Sequence, residues 1–449
     1  MAVRMGLHLS NETDIIYDAC VIGAGASGLV CAATMARRGL TTLLVDQNKK
    51  NGRKLYATGN GRCNLANAVI SDSAYYSDPF AGNVVTEASV RDLFRYLEAV
   101  GLPLTVRDGY YYPQSLQASS VVWALTDEAR LAGVNFLYEE ELMHAERTEE
   151  GFRLQLRRGS GKLRELRCHR LALCMGSPAQ SSLGAAKEQT VYSLLEELKL
   201  PYRPYTHALC PMETEEDVSE LAGVRVKATL SLECKDGTEE SKDPGTEGIA
   251  TLGSGIATVS SGIATGSSEA AGMTEQGELQ LTEYGISGIA VFNLSTLAKA
   301  GDTVRIDLLP LWEREEELIT FLRAQAPDRS LYGVMNGLLQ DKLCRFHLCG
   351  QFGSERLKLA VSAFTDQELL RLIRELKNWK LMVAGFRTEQ AQAFRGGVDT
   401  GIMDPEGMLV KGSGAPLAVT GELLDVVGRC GGYNLSFAMI SGMRAGEKL

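Results

Sequence analysis

Histidine is scarce in this chain, with five residues in 449 and none in H-E-x-x-H spacing. The ten cysteines include no C-x-x-C pair. Neither a structural zinc site nor a dithiol redox motif is therefore indicated, and no metal is expected. No apolar run approaches the length that spans a bilayer. Residues 1–17 mix Arg4, Glu12 and Asp14 without an apolar segment, which is unlike a signal peptide. The formal net charge is −10, so the chain lacks the cationic excess that attracts nucleic acid or an anionic membrane. The expectation is a cytoplasmic protein with reduced thiols, a small-molecule substrate, and no nucleic-acid or membrane partner. Its length exceeds one ordinary core and suggests two or three domains.

What the chain does have is a complete βαβ signature at residues 19–46. An apolar strand, Ala19-Cys20-Val21-Ile22, runs into Gly23-Ala24-Gly25-Ala26-Ser27-Gly28 and then a helix that Gly39 can cap. A second apolar run, 41–45, ends on Asp46. The three glycines contribute differently, since Gly23 allows the tight turn, Gly25 lets backbone amides approach a pyrophosphate, and Gly28 lets helix and strand pack closely. The pyrophosphate would rest on the positive end of the helix. Asp46 can accept from both hydroxyls of an adenosine ribose and would repel a 2′-phosphate, so the expected ligand is FAD or NAD.

A second glycine-rich segment, Gly52 to Asn64, carries small and basic residues suited to a loop along a polyanionic cofactor. Helical spacing is read at 89–100 and 119–132, with a turn-rich stretch, Arg107 to Pro113, between them. Residues 134–138, 152–156 and 166–174 read as strands, explained by a three-stranded meander and a strand rejoining a parallel sheet. From 205 to 311 the pattern is of strands, from 312 to 378 of helices, and 380–386 is again strand. Residues 235–276 are rich in Gly, Ser, Thr and Glu and repeat Gly-Ile-Ala-Thr every seven residues from Gly248. Glycine in every repeat argues against a coiled coil, and a surface insertion between two strands is expected. Near the C-terminus, Arg395-Gly396-Gly397-Val398, Gly421-Glu422-Leu423-Leu424-Asp425 and Gly431-Gly432-Tyr433-Asn434-Leu435 lead into an apolar helix. Its start offers a second anion-facing helix end, able to stabilise a reduced flavin ring, or else an ordinary glycine-capped turn.

Together, the Gly23–Gly28 fingerprint, Gly59-Asn60-Gly61-Arg62-Cys63-Asn64, Tyr112-Pro113-Gln114-Ser115, His207-Ala208-Leu209-Cys210-Pro211, Tyr284-Gly285-Ile286-Ser287-Gly288 and the three C-terminal motifs resemble the HI0933-like flavoproteins. That family is labelled NAD(P)/FAD-dependent or aminoacetone-oxidase-like and includes a 3-dehydro-bile-acid Δ4,6-reductase type. The resemblance implies an α/β fold with a glutathione-reductase-like FAD-binding Rossmann domain, interrupted by a β-barrel-like domain that carries a helical insertion. On this chain the FAD domain maps to 16–201 and 393–449, the barrel to 202–310 and 378–392, and the helical subdomain to 311–377. The resemblance also places Ala26, Ser27, Asp46, Gln47, Arg53, Lys54, Gly59, Asn60, Gly61, Arg62, Cys63 and Asn64 at the cofactor. Asp425, Asn434 and Leu435 join them at its ribityl and ring end, and Leu142 sits on an edge strand that grips adenine through its backbone. The chain departs from the family at 173–178 (Leu-Cys-Met-Gly-Ser-Pro) and at 179–189, a segment bordering cofactor and substrate in relatives.

A flavin supplies hydride transfer while the protein supplies placement, charge and exclusion of water. Arg62 and Lys54 could stabilise an anionic reduced ring, or simply neutralise phosphate. Cys63 has no nearby partner in sequence and reads as a packing residue. Tyr112 and Tyr433 are candidate proton donors to a substrate carbanion, or merely satisfied hydrogen bonds. With no second G-x-G-x-x-G, either NADH or NADPH docks transiently as electron donor, or the electrons come from another donor or leave to oxygen. The leading expectation is reduction of an activated C=C, such as the enone of a 3-oxo bile acid. The other readings are an O₂-using oxidase of a small amine and a non-catalytic flavin-binding sensor or scaffold.

Overall fold

Apolar residues crowd the strand Ile16–Ile22 (β1) and the strand Thr42–Asp46 (β2), whose middles are buried. They pair in parallel, Ala19 opposite Thr42 through Ile22 opposite Val45. The helix Ala26–Arg37 crosses between them and stops at Gly39, which takes φ +90° and donates to the Ala36 carbonyl at 2.9 Å. The computed structural model describes residues 16–76, 79–159, 161–178, 184–234 and 273–449, apart from the side chains of 60, 72 and 184–187. The repeat segment, the insertion from 235 to 272 and residues 179–183 lie outside the described residues.

The stretch Arg107–Pro113 is a hairpin, not only a turn. Leu104–Arg107 (β4) and Tyr110–Pro113 (β5) flank Asp108 and Gly109, which both adopt positive φ, at +50° and +80°. That is the two-residue Asp-Gly turn whose twist suits paired strands. Ala66–Asn67 (β3) adds to the other side of β5.

Asn135–Tyr138 (β6) does not open a meander; it extends the parallel sheet beside β2. The meander is Glu140–Thr148 (β7), Gly151–Arg158 (β8) and Leu163–Leu173 (β9), and β9 itself turns back into the sheet beside β1. The residue pattern hides β7 because Glu-Glu-Leu-Met-His-Ala-Glu-Arg-Thr is mostly charged and a bulge at Leu142/His144 breaks its alternation. The sheet order is β6-β2-β1-β9-β8-β7.

The chain divides into two units, Met1–Thr206 with Ala393–Leu449, and His207–Gln392. Tyr202–Ala208 (β10) leads to the second unit, in which Met212–Thr214 (β11), Arg225–Glu233 (β12), Thr274–Thr282 (β13), Gly285–Ser287 (β14), Thr303–Asp307 (β15) and Trp379–Phe386 (β16) close a six-stranded barrel. Two expectations fail here. Residues 274–276, assigned to the insertion, are the start of β13 and pair with 229–231, with Glu275 buried beside Asn293 at 3.0 Å. The run Ile289–Ser295, assigned to strand, is a helix, because Gly288 at φ +106° ends the pairing and the run buries Ala290, Val291 and Leu294 at helical spacing. Four helices, Glu315–Arg323, Leu331–Met335, Asp341–Phe352 and Asp366–Lys377, share one apolar core with the barrel through Leu318, Leu343, Leu369, Leu372 and Leu381.

The chain then returns to the first unit. Ala393–Val398 (β17) pairs with β10, and Leu417–Val419 (β18) joins the parallel sheet beside β9. The C-terminal helix Tyr433–Lys448 lies against the first helix. Close approach is possible because Gly442 and Gly446 carry no side chain: a Cβ on Gly442 would lie 2.3 Å from the Ser27 carbonyl oxygen, and one on Gly446 2.8 Å from that of Cys31. The two chain ends thus form one core.

Candidate functional site

The three fingerprint glycines differ sharply in their surroundings. Gly23, at φ +104°, donates to the Val45 carbonyl at 2.8 Å, and a Cβ there would fall 2.4 Å from the Cys174 oxygen. A Cβ on Gly28 would lie 1.8 Å from the Gly23 oxygen, so helix and turn touch backbone to backbone. Gly25 caps the helix without a side-chain bond, no acidic residue stands in the first turn, and a Cβ there would meet nothing within 4 Å. The helix start therefore presents uncapped N–H groups and open space, with Ala26 and Ser27 buried behind it. Asp46 closes this turn: one carboxylate oxygen accepts from Ala24 N at 2.6 Å and the other from Asn48 N and Nδ2 at 2.7 and 2.8 Å. Gln47 follows it at the strand tip, half-buried.

The second loop winds through positive φ at Gly52, Gly59, Gly61 and Cys63. A Cβ on Gly59 would lie 3.0 Å from Asn64 N and 3.8 Å from the Tyr112 ring. Arg53 and Arg62 are exposed, and among the described residues the Arg62 guanidinium has no hydrogen bond or ion pair. Lys54 differs: its Nζ donates to the Ser177 carbonyl and hydroxyl and pairs with Glu422 Oε2 at 3.0 Å, so its charge is already matched. Cys63 is buried, and burial pushes its thiol up to about 11, against a redox role at neutral pH. Asn64 Oδ1 is buried and has no hydrogen-bond partner among the described residues. The Asn60 side chain lies outside the described residues.

At the C-terminal end, Asp425 accepts from Gly396 N at 2.8 Å and pairs with Arg203 at 3.3 Å. Asn434 closes a loop with the Gly428 backbone, accepting from its N at 2.7 Å and donating to its O at 2.8 Å. Leu435 is half-buried in the first turn of the last helix. That turn is again free of acids and of a side-chain cap, and a Cβ on Gly432 would lie 2.6 Å from the Ala66 backbone. Tyr433 donates its hydroxyl proton to the Val69 carbonyl at 3.0 Å. The Tyr112 hydroxyl makes no hydrogen bond among the described residues, and burial raises its pKa. Leu142 lies on edge strand β7 with its side chain buried.

An adenine dinucleotide fits this arrangement: an uncapped helix start with space in front of it, a carboxylate at the β2 tip, and an unpartnered buried amide oxygen at Asn64. Two contributors were not anticipated. Ser177, in the stretch that departs from the family, holds Lys54. Tyr110 stands two residues from Tyr112 on one face of β5, a pairing that strand alternation would have revealed had the stretch been read as strand.

Residues 17–448 match the family model described as the HI0933-like protein Rossmann domain. The chain is 30% identical over 443 residues to a 3-dehydro-bile acid Δ(4,6)-reductase of Clostridium scindens, covering 95% of this chain and 97% of the relative. It is 28% identical to a ribosomal RNA dihydrouridine synthase of Escherichia coli, covering 96% and 98%. A 3-ketosteroid-Δ4-(5α)-dehydrogenase from Rhodococcus jostii overlays with TM-score 0.46 at 13% identity, covering 97% of each chain.

Proposed function

The chain belongs to the HI0933-like family, and we propose that this FAD-dependent oxidoreductase uses NADH or NADPH to reduce an activated C=C in an apolar ring, such as the enone of a 3-oxo bile acid. One observation carries the reading: two relatives aligned over nearly their whole lengths are named for saturating a carbonyl-conjugated double bond, in a bile acid and in uridine. Their substrates differ; their hydride acceptor is chemically alike.

In this reading the cofactor lies as in glutathione-reductase-like FAD domains, in a site built from both chain ends. Bound FAD supplies hydride chemistry. The start of the helix Ala26–Arg37 holds the pyrophosphate, Asp46 the ribose, and Asn64 accepts from a cofactor N–H or O–H group. The start of the helix Tyr433–Lys448 and the unpaired Arg62 favour negative charge on the reduced ring. The remaining site residues, Gln47, Arg53, Gly59 to Cys63, Asp425, Asn434 and Leu435, shape this cradle.

Anaerobic mixing of the flavoprotein with NADH or NADPH should bleach the oxidised flavin, and a 4-en-3-oxosteroid should restore its colour. Failure of both nucleotides to bleach it, or substrate-dependent peroxide with a small amine, overturns the reading. The second relative favours uracil in ribosomal RNA as an alternative acceptor. Loss of uridine absorbance in RNA, with no turnover of the steroid, would select it.

A further inference from the structure

Strand β5 runs between the two glycine-rich loops of the candidate site. Tyr112 lies beside Gly59, and Tyr110 lies at the other loop, where a Cβ on Gly431 would come 2.8 Å from its ring. Tyr111, on the opposite face, packs against Phe94 with the rings tilted and their centroids 4.5 Å apart. The Tyr110 ring and the Asn67 side chain both lie against Gly431, and Asn67 Nδ2 donates to the Gly431 carbonyl at 3.2 Å. It is half-buried, and its hydroxyl makes no hydrogen bond among the described residues. Tyr433, by contrast, is committed to Val69.

We propose that Tyr110 is the general acid of this site, giving its phenolic proton to the carbon next to the substrate carbonyl. The proposal rests on the C=C-reductase reading. The substrate's β-carbon receives a hydride from reduced flavin, which leaves oxidised. The alkene electron pair moves toward the carbonyl as an enolate. The Tyr110 O–H bond then breaks, its proton forms the new C–H bond at the α-carbon, and the phenolate regains a proton from water.

Three features suit that role. Burial raises the hydroxyl above its ordinary value, so it carries its proton at neutral pH. The transient phenolate would stand beside the uncapped start of the C-terminal helix and the Arg429 guanidinium, both of which favour negative charge. Asp108, Cys430 and Tyr112 are the other titratable groups facing it, and each resists that charge, so the phenolate is not the resting form.

The test is Tyr110→Phe, which keeps the ring against Gly431. Bleaching by the active nucleotide should proceed as in wild type, while reoxidation by a 4-en-3-oxosteroid should slow by about 10²-fold or more. Tyr111→Phe serves as the control and should match wild type. A readout independent of turnover is the phenolate absorbance at 295 nm: subtracting the Tyr110→Phe titration from that of wild type should leave one group titrating above the ordinary tyrosine range. Wild-type reoxidation rates in Tyr110→Phe, or a difference titration at the ordinary value, overturn the assignment while leaving the reductase reading intact. Failure of wild-type enzyme to reduce either the steroid or uridine in RNA overturns both.

Discussion

Lys54 and Glu422, 368 residues apart in sequence, meet as an ion pair at 3.0 Å, and Ser177 hydrogen-bonds to both. Three separate stretches of the chain are thereby tied at one point beneath the candidate cofactor loop. The two side chains keep 35% and 22% of their exposure, so solvent screens the pair and its net worth is modest. Glu422→Ala should cost about 1 kcal/mol, the upper end for a solvent-screened ion pair, and lower the melting temperature by a few degrees. Glu422→Gln, which keeps an acceptor, should lose less. Equal melting temperatures for wild type and Glu422→Ala in a thermal scan would show that the pair contributes nothing.

Gly25 and Gly28 should respond oppositely to the same added methyl group. Alanine at 28 places carbon 1.8 Å from the Gly23 oxygen, within the backbone of the βαβ turn, so the variant should fail to accumulate as soluble protein. Alanine at 25 meets nothing within 4 Å of the protein and should fold, yet it fills the space where a pyrophosphate approaches the helix. Gly25→Ala should be soluble, with native circular dichroism and little flavin absorbance at 450 nm. A yellow Gly25→Ala protein would dissociate the fingerprint from cofactor binding.

Much of this was legible in sequence because local rules and tertiary structure agree. The strand–Gly–helix–strand run, the helices at 87–99 and 118–131 and the glycine-opened last helix each carry their own punctuation. What escaped was decided by distant partners. β7 is charged along its length and is a strand because β8 pairs with it; residues 274–276 are polar and are held by β12. The fates of individual polar groups were equally hidden. Nothing local distinguishes Lys54, bound by Glu422, from Arg62, whose side chain has no hydrogen-bond or ion-pair partner among the described residues, nor Tyr433, bonded to Val69, from Tyr110.

Asp46 shapes a turn and is the proposed ribose ligand, and its removal should show the two effects together. Its carboxylate receives the Ala24 amide and the Asn48 amide and side chain, which fixes the turn. Asp46→Ala should weaken FAD binding about tenfold, equivalent to about 1.4 kcal/mol, with a small loss of thermal stability that excess FAD partly restores. Titrating apoprotein with FAD by fluorescence quenching measures the first effect. An unchanged dissociation constant would remove Asp46 from the ribose site.

Cys63 sits inside the candidate cofactor loop with a raised thiol, so at pH 8 only about 10⁻³ of it is thiolate by the Henderson relation. Burial both suppresses ionisation and blocks access, while Cys234 is exposed. Iodoacetamide at pH 8 should modify Cys234 long before Cys63, as read by peptide mass spectrometry. Raising the pH toward 11 should increase Cys63 labelling as the thiolate fraction grows. Cys63→Ala should keep its flavin and be bleached by nucleotide at close to the wild-type rate, since a packed methyl replaces a packed thiol. Preferential labelling of Cys63 at pH 8, or loss of bleaching in the alanine variant, would reinstate it as a redox participant.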